Sequence, residues 1–195
     1  MKLIFLIGFM GTGKSAVAEA LADREDFTCD DLDELIEART GRSVAAYINE
    51  QGEQAFRDME TETLSLWIRD HRTGSGADQG TAYAVLACGG GVILREENRK
   101  LMRENGLTVR LMASLQTIYQ RVSLHPDTRP MLQVGVSLIK RLEDLADERE
   151  ALYRDCADLE ISTEGKTARK SADLICQALS EQKSEVTRLS PCSPQ

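Results

Sequence analysis

The sequence lacks any long apolar stretch, any cysteine pair spaced for metal binding, and any excess of positive charge. None of its apolar runs approaches the roughly 20 residues of a membrane-spanning helix. The five cysteines form no CxxC pair, which argues against a zinc site or a disulfide framework and favours free thiols in a reducing compartment. The formal net charge of −8 argues against nucleic-acid binding, which needs a basic face. We therefore expect a cytoplasmic protein that binds neither membranes nor nucleic acid.

The sequence does have short apolar runs that alternate with longer helical patterns across its 195 residues, without an internal repeat. This alternation is typical of an α/β domain, in which helices cover a parallel sheet. Strands are predicted at 2–7, near Asp31, at 83–87, at 108–112 and at 159–162, and a helical segment at 33–70 that is broken at Gly41 and Gly52. Residues 73–81 are predicted to form a surface loop, and 184–195 a disordered tail.

The strongest motif matches GxxxxGK[ST] and consists of Gly8-Phe9-Met10-Gly11-Thr12-Gly13-Lys14-Ser15. Its glycines let backbone amides approach phosphate oxygens closely, and the start of the following helix adds to this anion site. Lys14 is expected to reach the outer phosphates, and the Ser15 hydroxyl to ligate Mg²⁺. Because an apolar strand precedes the motif and an alanine-rich helix follows it, the sequence predicts nucleoside triphosphate binding.

Two carboxylates follow the second predicted strand. Asp31 and Asp33 are two residues apart, and in an extended segment both would point to the same side, towards the phosphate loop. One would suit the hydration shell of Mg²⁺, and the other would orient a substrate hydroxyl and accept its proton. The alternative is an acidic helix start, where aspartate is favoured by capping and by the helix dipole. The residues alone leave both interpretations open.

Two further features are candidates for ligand contact. The triplet Gly89-Gly90-Gly91 follows a buried strand and suits a backbone that lies flat against a ligand, although a loose loop is the alternative. Arginine binds carboxylates in bidentate fashion and stabilises charge on a transferred phosphoryl group. The candidates are Arg57, Arg129 and Arg149, but a single helical arginine is more often only solvated. Composition alone does not choose among them.

In their order along the chain, these motifs resemble those of the shikimate kinase family. Beyond the phosphate loop, the aspartate pair and the glycine triplet, the similar segments are Thr40-Gly41-Arg42-Ser43, Gly52-Glu53-Gln54-Ala55-Phe56-Arg57 with Glu60, Arg129-Pro130-Met131-Leu132, and Arg149 with Tyr153. The resemblance implies a P-loop three-layer sandwich with a five-stranded parallel sheet, like that of nucleoside monophosphate kinases. It also implies one kinase domain over residues 1–183, with a mobile lid around 122–135, that acts as a monomer.

The resemblance further implies an activity and a set of site residues. The enzyme would transfer the γ-phosphoryl group of ATP to the 3-hydroxyl of shikimate, with Mg²⁺ as cofactor, in the biosynthesis of chorismate and aromatic amino acids. Catalysis would involve Lys14, Asp33 and Arg129. By position, ATP would contact Gly11, Thr12, Gly13, Lys14, Ser15, Ala16, Arg121 and Arg129; shikimate would contact Asp33, Arg57, Gly89, Gly90, Gly91 and Arg149; and Mg²⁺ would bind Ser15 and, through water, Asp31.

Three positions depart from the family pattern. Ile48 stands where a phenylalanine is usual, Cys88 where a serine or threonine is common, and Ala151 where a proline is common. None of these changes removes a group that the chemistry needs.

Two other functions remain open at this point. One is another small-molecule kinase of the same fold, such as a gluconate kinase. The other is a nucleotide-dependent switch that binds ATP without transferring phosphate. The presence of Asp33, Arg57, Arg129 and Arg149 in one chain argues against the switch.

Overall fold

The computed structural model describes residues 1–73, 81–123 and 138–189, with side chains described as far as residue 181. The strands are β1 (Lys2–Ile7), β2 (Phe27–Asp31), β3 (Tyr83–Ala87), β4 (Gly106–Met112) and β5 (Leu159–Ser162). The helices are α1 (Lys14–Ala22), α2 (Leu32–Thr40), α3 (Val44–Thr73), α4 (Glu96–Asn105), α5 (Leu115–Ser123), α6 (Leu138–Cys156) and α7 (Ala168–Leu189), with a 3₁₀ turn at Val92–Leu94. Most of the predicted loop at 73–81 and most of the predicted lid, including Arg129, lie outside the described residues.

The five strands form one parallel sheet in the order β2-β3-β1-β4-β5. The central strand β1 pairs with β3 on one side and with β4 on the other, so that Ile4 lies between Val85 and Leu107. From β1 the chain passes to the edge strand β2 and returns to β3 beside β1, and it then crosses to β4 and β5 on the other side of β1. Ligands bind outside the carboxyl ends of the strands at such a reversal. The predicted fold class is confirmed.

Alternation of side chains along β1 separates two hydrophobic cores. Leu3, Phe5 and Ile7 face the side that is covered by α2 to α6, whereas Ile4 and Leu6 face α1 and α7. Successive side chains of a strand point to opposite faces, so one apolar strand contributes to both layers. Each such side chain, once fully buried, stabilises the fold by about 1.5–3 kcal/mol.

The two predicted helix breaks occur at the predicted glycines. Gly41 ends α2 in a left-handed conformation with φ 68°, and Gly52, with φ 87°, interrupts α3. Beyond Gly52, α3 is anchored to the sheet by Trp67, whose ring lies 5.9 Å from that of Phe5 and whose indole nitrogen donates to Asp30 Oδ2 at 2.7 Å. This contact holds α3 against the end of β2.

The last helix, α7, ends at Leu189 and therefore includes the first residues of the segment 184–195 that was predicted to be a tail. Among the helices of the described residues, none is long and apolar enough to cross a membrane.

Candidate active site

A cleft of about 1160 Å³ opens where β1, β2 and β3 end. The predicted site residues that line it are Gly11, Gly13, Lys14, Ser15, Ala16, Asp31, Asp33, Arg57, Gly89, Gly90, Gly91, Arg121 and Arg149. The structure thus brings together residues that are spread over most of the chain. Thr12 does not line the cleft, and Arg129 lies outside the described residues.

The phosphate loop joins the end of β1 to the start of α1. Gly13 caps α1 in a left-handed conformation with φ 93°, which a side chain would strain. The ammonium of Lys14 donates to the carbonyl oxygens of Gly8 at 2.8 Å and Phe9 at 3.2 Å. The lysine is thereby held over the loop, next to the N-terminus of α1, where an anion is favoured.

Thr12 faces the protein interior, unlike the other predicted ATP contacts of the loop. Its hydroxyl is buried and donates to the Phe9 carbonyl at 2.7 Å, and its own carbonyl accepts from the Thr163 hydroxyl at 3.0 Å. Arg121 lies at the same edge and donates to the Gly11 carbonyl at 2.9 Å and to the Thr163 carbonyl at 3.3 Å. These bonds shape the loop on the side of β5.

The aspartate pair combines both sequence interpretations. Asp31 caps α2, since its Oδ1 accepts from the backbone nitrogen of Asp33 at 2.9 Å. Its other oxygen, Oδ2, accepts from the Ser15 hydroxyl at 2.6 Å. Asp33 lies in the first turn of α2, so the expectation that an extended segment orients both carboxylates was wrong. They share the cleft because capping turns the chain into a helix immediately after β2.

The pair formed by Ser15 and Asp31 fits a magnesium ion. A hydroxyl and a carboxylate are hard oxygen donors, and Mg²⁺ is usually held by one or two carboxylates together with water and substrate phosphates. In the described parts of the chain, no group of three or more His, Cys, Asp or Glu side chains is arranged to hold a metal by protein ligands alone. The donors present therefore suit an ion that is shared with a phosphate ligand.

Asp33 has an electrostatic environment suited to proton transfer. Burial, followed by the charge of Asp31, raises the pKa of its carboxyl group, whereas Lys14 and Arg57 lower it, and the resulting pKa is about 6. A pKa near neutrality allows the carboxylate to be present at physiological pH and still to accept a proton.

Arg57 lies on α3 and is held by two glutamates. Its Nη1 donates to Glu60 Oε2 at 2.9 Å and its Nη2 to Glu53 Oε1 at 3.3 Å. Glu60 is fully buried, and burial raises the pKa of its carboxyl group, while Arg57 lowers it. The resemblance places Glu60 in the same motif as Arg57, but no contact between Arg57 and Glu53 was predicted. The sequence feature that indicates the contact between Glu53 and Arg57 is their spacing of four residues, which places both side chains on one helix face.

Two of the three glycines in the triplet, Gly89 and Gly91, are closely approached by side chains. A Cβ atom at Gly89 would lie 2.9 Å from Asp33 Oδ1, and one at Gly91 would lie 2.5 Å from both terminal nitrogens of Arg57. Neither residue has a positive φ angle, so backbone strain does not explain the glycines. They let an acidic and a basic side chain lie against the backbone at the end of β3.

Arg149 meets the triplet from α6. Its Nη1 donates to the Gly90 carbonyl at 3.3 Å, and the hydroxyl of Tyr153 donates to the same carbonyl at 2.5 Å. No separate role was predicted for Tyr153, although its place one helical turn after Arg149 indicated that the two residues share a helix face.

Three buried polar atoms around the cleft lack a hydrogen-bond partner in the described parts of the chain, namely Nε of Arg57, Nε of Arg149 and Oε1 of Glu60. Thr63, Asn98, Arg99 and Thr108 also have such an atom, away from the cleft, so this feature alone does not mark a binding site.

Two of the family departures lie at the cleft. Ile48 lines its wall, and Cys88 lies directly before the glycine triplet. Cys88 is almost fully buried, its thiol donates to the Leu86 carbonyl at 3.6 Å, and burial raises its pKa. Cys88 therefore behaves as a small, protonated hydrophobic residue. Ala151, the third departure, is exposed on α6.

Comparison with known proteins gives a consistent result. The family model of shikimate kinase matches residues 10–180. The shikimate kinase of Paracidovorax citrulli is 38% identical over 192 residues, which cover 98% of this chain and 96% of that protein. The shikimate kinase of Chromobacterium violaceum is 43% identical over 159 residues, covering 82% and 79%. The solved structure of shikimate kinase from Acinetobacter baumannii in complex with shikimate is 32% identical, with a TM-score of 0.80 and coverage of 94% and 95%. Because these matches span nearly the whole chain and include the cleft, the chain belongs to the shikimate kinase family.

Proposed function

We propose that this protein transfers the γ-phosphoryl group of ATP to the 3-hydroxyl of shikimate, giving shikimate 3-phosphate and ADP. The observation that carries the proposal is the meeting, in one cleft, of a phosphate loop, a carboxylate whose pKa is raised to about 6, and two arginines. The relative from Acinetobacter baumannii, which was solved with shikimate, supports this acid as the substrate.

The phosphate loop and Lys14 would hold the phosphates of ATP. The backbone at Gly11, Gly13 and Ala16 lines the cleft, and the Lys14 ammonium already lies over the loop. Ser15 would ligate Mg²⁺ directly, and Asp31 would do so through water. When bound, this ion offsets negative charge on the phosphates.

Asp33 would orient the substrate hydroxyl and accept its proton. Its side chain lines the cleft and lies against Gly89, where a Cβ atom would crowd the carboxylate. The raised pKa makes the carboxylate a stronger base than an exposed aspartate, while Lys14 and Arg57 keep it ionised at neutral pH. The proton would pass from the hydroxyl oxygen to the carboxylate as the bond to phosphorus forms.

Arg57 and Arg149 would bind the substrate carboxylate. A planar guanidinium donates two parallel hydrogen bonds to a carboxylate, which fixes both the position and the direction of the acid. Glu60 would keep Arg57 in place through its bond at 2.9 Å. The backbone of Gly90 would border the substrate, since it lines the cleft beside Arg149.

Further parts of the proposal come from family membership. Arg129, which lies outside the described residues, would neutralise developing charge from a lid around 122–135, whose closure excludes competing water. Arg121 would border the adenine, which its contacts with Gly11 and Thr163 support. We also propose a single domain over 1–183 that acts as a monomer in the cytoplasm. The free thiols of the described cysteines are consistent with that compartment.

An assay of ADP release tests the function. The protein is given ATP and Mg²⁺ with shikimate, with gluconate, or with neither acid. We expect release that depends on shikimate and that falls about 10²- to 10⁴-fold in Asp33→Asn, since a general base typically contributes this much. Glu34→Gln is the matched control, because Glu34 is an exposed carboxylate in the same helical turn.

The other outcomes have definite meanings. Turnover with gluconate alone would make the protein a gluconate kinase of the same fold. No stimulation by either acid would contradict a kinase function for both and favour the nucleotide switch. Activity that survives removal of Mg²⁺ by a chelator would contradict the metal site at Ser15 and Asp31.

A further inference from the structure

A buried arginine outside the cleft joins the sheet to α6. Arg110 lies in β4, is only 8% exposed, and does not line the cleft. Its Nη2 donates to Glu150 Oε2 at 2.6 Å, and its Nη1 donates to Glu160 Oε1 at 2.8 Å and to Glu150 Oε1 at 3.1 Å. Glu150 belongs to α6 and Glu160 to β5. A charge so little exposed needs such partners, and the pairing fixes α6 on the sheet.

The same guanidinium lies over the ring of Tyr153, with its central carbon 5.4 Å from the ring centroid. Tyr153 is 2% exposed, and its hydroxyl donates to the Gly90 carbonyl at 2.5 Å. Arg149 donates to that carbonyl as well, at 3.3 Å. On α6, Glu150 is the next residue after Arg149, and Tyr153 follows one turn later. Both contacts of Arg110 with α6 therefore lie within about one helical turn of Arg149, on its C-terminal side.

We propose that Arg110 is a positioning residue for the acidic substrate. By holding Glu150 and Tyr153, it fixes the guanidinium of Arg149 and the backbone of Gly90 in the orientation that binds the substrate carboxylate. This inference rests on the proposed role of Arg149. The ATP side of the cleft is held separately, by the contacts of Arg121 and Thr163 with the phosphate loop, so we expect substrate binding and ATP binding to respond differently.

The geometry requires an arginine. A planar guanidinium can pair with two carboxylates through its edges and lie on an aromatic face at the same time. A lysine ammonium is a point charge and cannot make all three contacts from one position. A lysine at position 110 should therefore fix Arg149 and Gly90 only in part.

The test is the steady-state kinetics of the full chain. We expect Arg110→Gln to raise KM for shikimate about tenfold, a size typical of coupled neighbouring residues. We expect KM for ATP and kcat to change less than about twofold. Arg110→Lys should raise KM for shikimate less. Tyr153→Phe should raise it too, and the double variant Arg110→Gln/Tyr153→Phe should be no worse than the more affected single variant, because both act through Gly90.

Arg103→Gln is the matched control. Arg103 also pairs with α6, through Asp155 at 2.8 Å, but both side chains are largely exposed and neither contacts the triplet. We expect its KM for shikimate to equal that of the unchanged protein. An equal rise in Arg103→Gln would overturn the proposal, since any loosening of α6 would then suffice.

Further outcomes would also overturn the proposal. An unchanged KM for shikimate in folded Arg110→Gln overturns the proposal. The proposal is also overturned if KM for shikimate, KM for ATP and kcat all worsen by the same factor and the melting temperature falls. If Arg110→Gln does not fold, Glu160→Gln replaces it. This change removes one of the two carboxylate partners of Arg110, at a side chain that is 41% exposed. Arg149→Lys separates the two claims. If Arg149→Lys leaves KM for shikimate unchanged, the proposed role of Arg149 fails. If Arg149→Lys raises KM for shikimate and Arg110→Gln does not, only the role of Arg110 fails.

Discussion

The guanidinium of Arg57 lies directly against the backbone of Gly91. A Cβ atom on Gly91 would come within 2.5 Å of both terminal nitrogens of Arg57. Gly91 has a φ of −103°, which any residue adopts, so space alone requires a glycine here. The arginine proposed to bind the substrate and the glycine triplet thus form one fitted surface, although they come from α3 and from the end of β3.

Gly91→Ala should weaken substrate binding with little effect on the fold. The added methyl group must displace the end of a flexible side chain, which costs little stability, but it moves the guanidinium of Arg57 away from its ligand. We expect KM for shikimate to rise about tenfold or more, as for a lost hydrogen bond to a charged group, with a melting temperature close to that of the unchanged protein.

The double variant Gly91→Ala/Arg57→Ala is the control for this effect. Once Arg57 has been shortened, the methyl group has nothing to displace, so Gly91→Ala should add little to Arg57→Ala. Additive losses in KM for shikimate would show that Gly91 acts independently of Arg57 and would contradict the fitted surface.

The pH dependence of the reaction should report the carboxyl group of Asp33. Only the carboxylate accepts a proton, and burial raises the pKa of this group to about 6. We therefore expect kcat/KM for shikimate to fall as the pH is lowered through about 6 and to level off above about 7, measured from about pH 5 to about pH 8. A flat profile over this range, with the coupling enzymes in excess, would be incompatible with Asp33 as the base.

The raised pKa of Asp33 also predicts that lowering the pH, which reduces activity, removes a destabilising contribution of this residue to the fold. The folded protein binds the Asp33 proton more tightly than the unfolded chain, in which the pKa is near 3.8. The ionised carboxyl therefore destabilises the fold above about pH 6, and this penalty disappears below about pH 4. Asp33→Asn should raise the melting temperature by roughly 5 °C at neutral pH and lose this advantage in acid.

Thermal unfolding followed by circular dichroism measures this difference. Glu34→Gln serves again as the control, because Glu34 is exposed and its change should leave the melting temperature nearly constant across the same range. A melting temperature of Asp33→Asn that equals that of the unchanged protein at neutral pH would show that the Asp33 carboxylate carries no burial penalty.

Much of the fold could be predicted from local patterns. The strands β1, β3 and β5 occupy the predicted residues, because short apolar runs between turn residues are strongly typical of buried strands. The breaks at Gly41 and Gly52 were predicted because a left-handed backbone favours glycine. The start of β4 was placed two residues late, at 108, since Gly106 joins the ladder only through its pairing with Leu3.

The aspartate pair shows where local patterns stop being sufficient. The spacing of Asp31 and Asp33 was compatible with an extended segment and with a helix start, and each gives a different side-chain direction. The choice was made by capping at Asp31 and by the packing of Leu32 and Ile36 of α2 into the core. Such packing depends on residues that are distant in sequence.

The sequence by itself determined the elements, the phosphate loop and the resemblance to the shikimate kinase family, because these follow from side-chain periodicity and from the backbone freedom of glycine. Only the tertiary structure decided that Arg57 lies on Gly91, that Tyr153 and Arg149 meet at Gly90, and that Arg110 links two carboxylates beneath them. Each of these contacts joins residues from different elements. Their geometry is set by how helices pack on a sheet, and local sequence does not encode that packing.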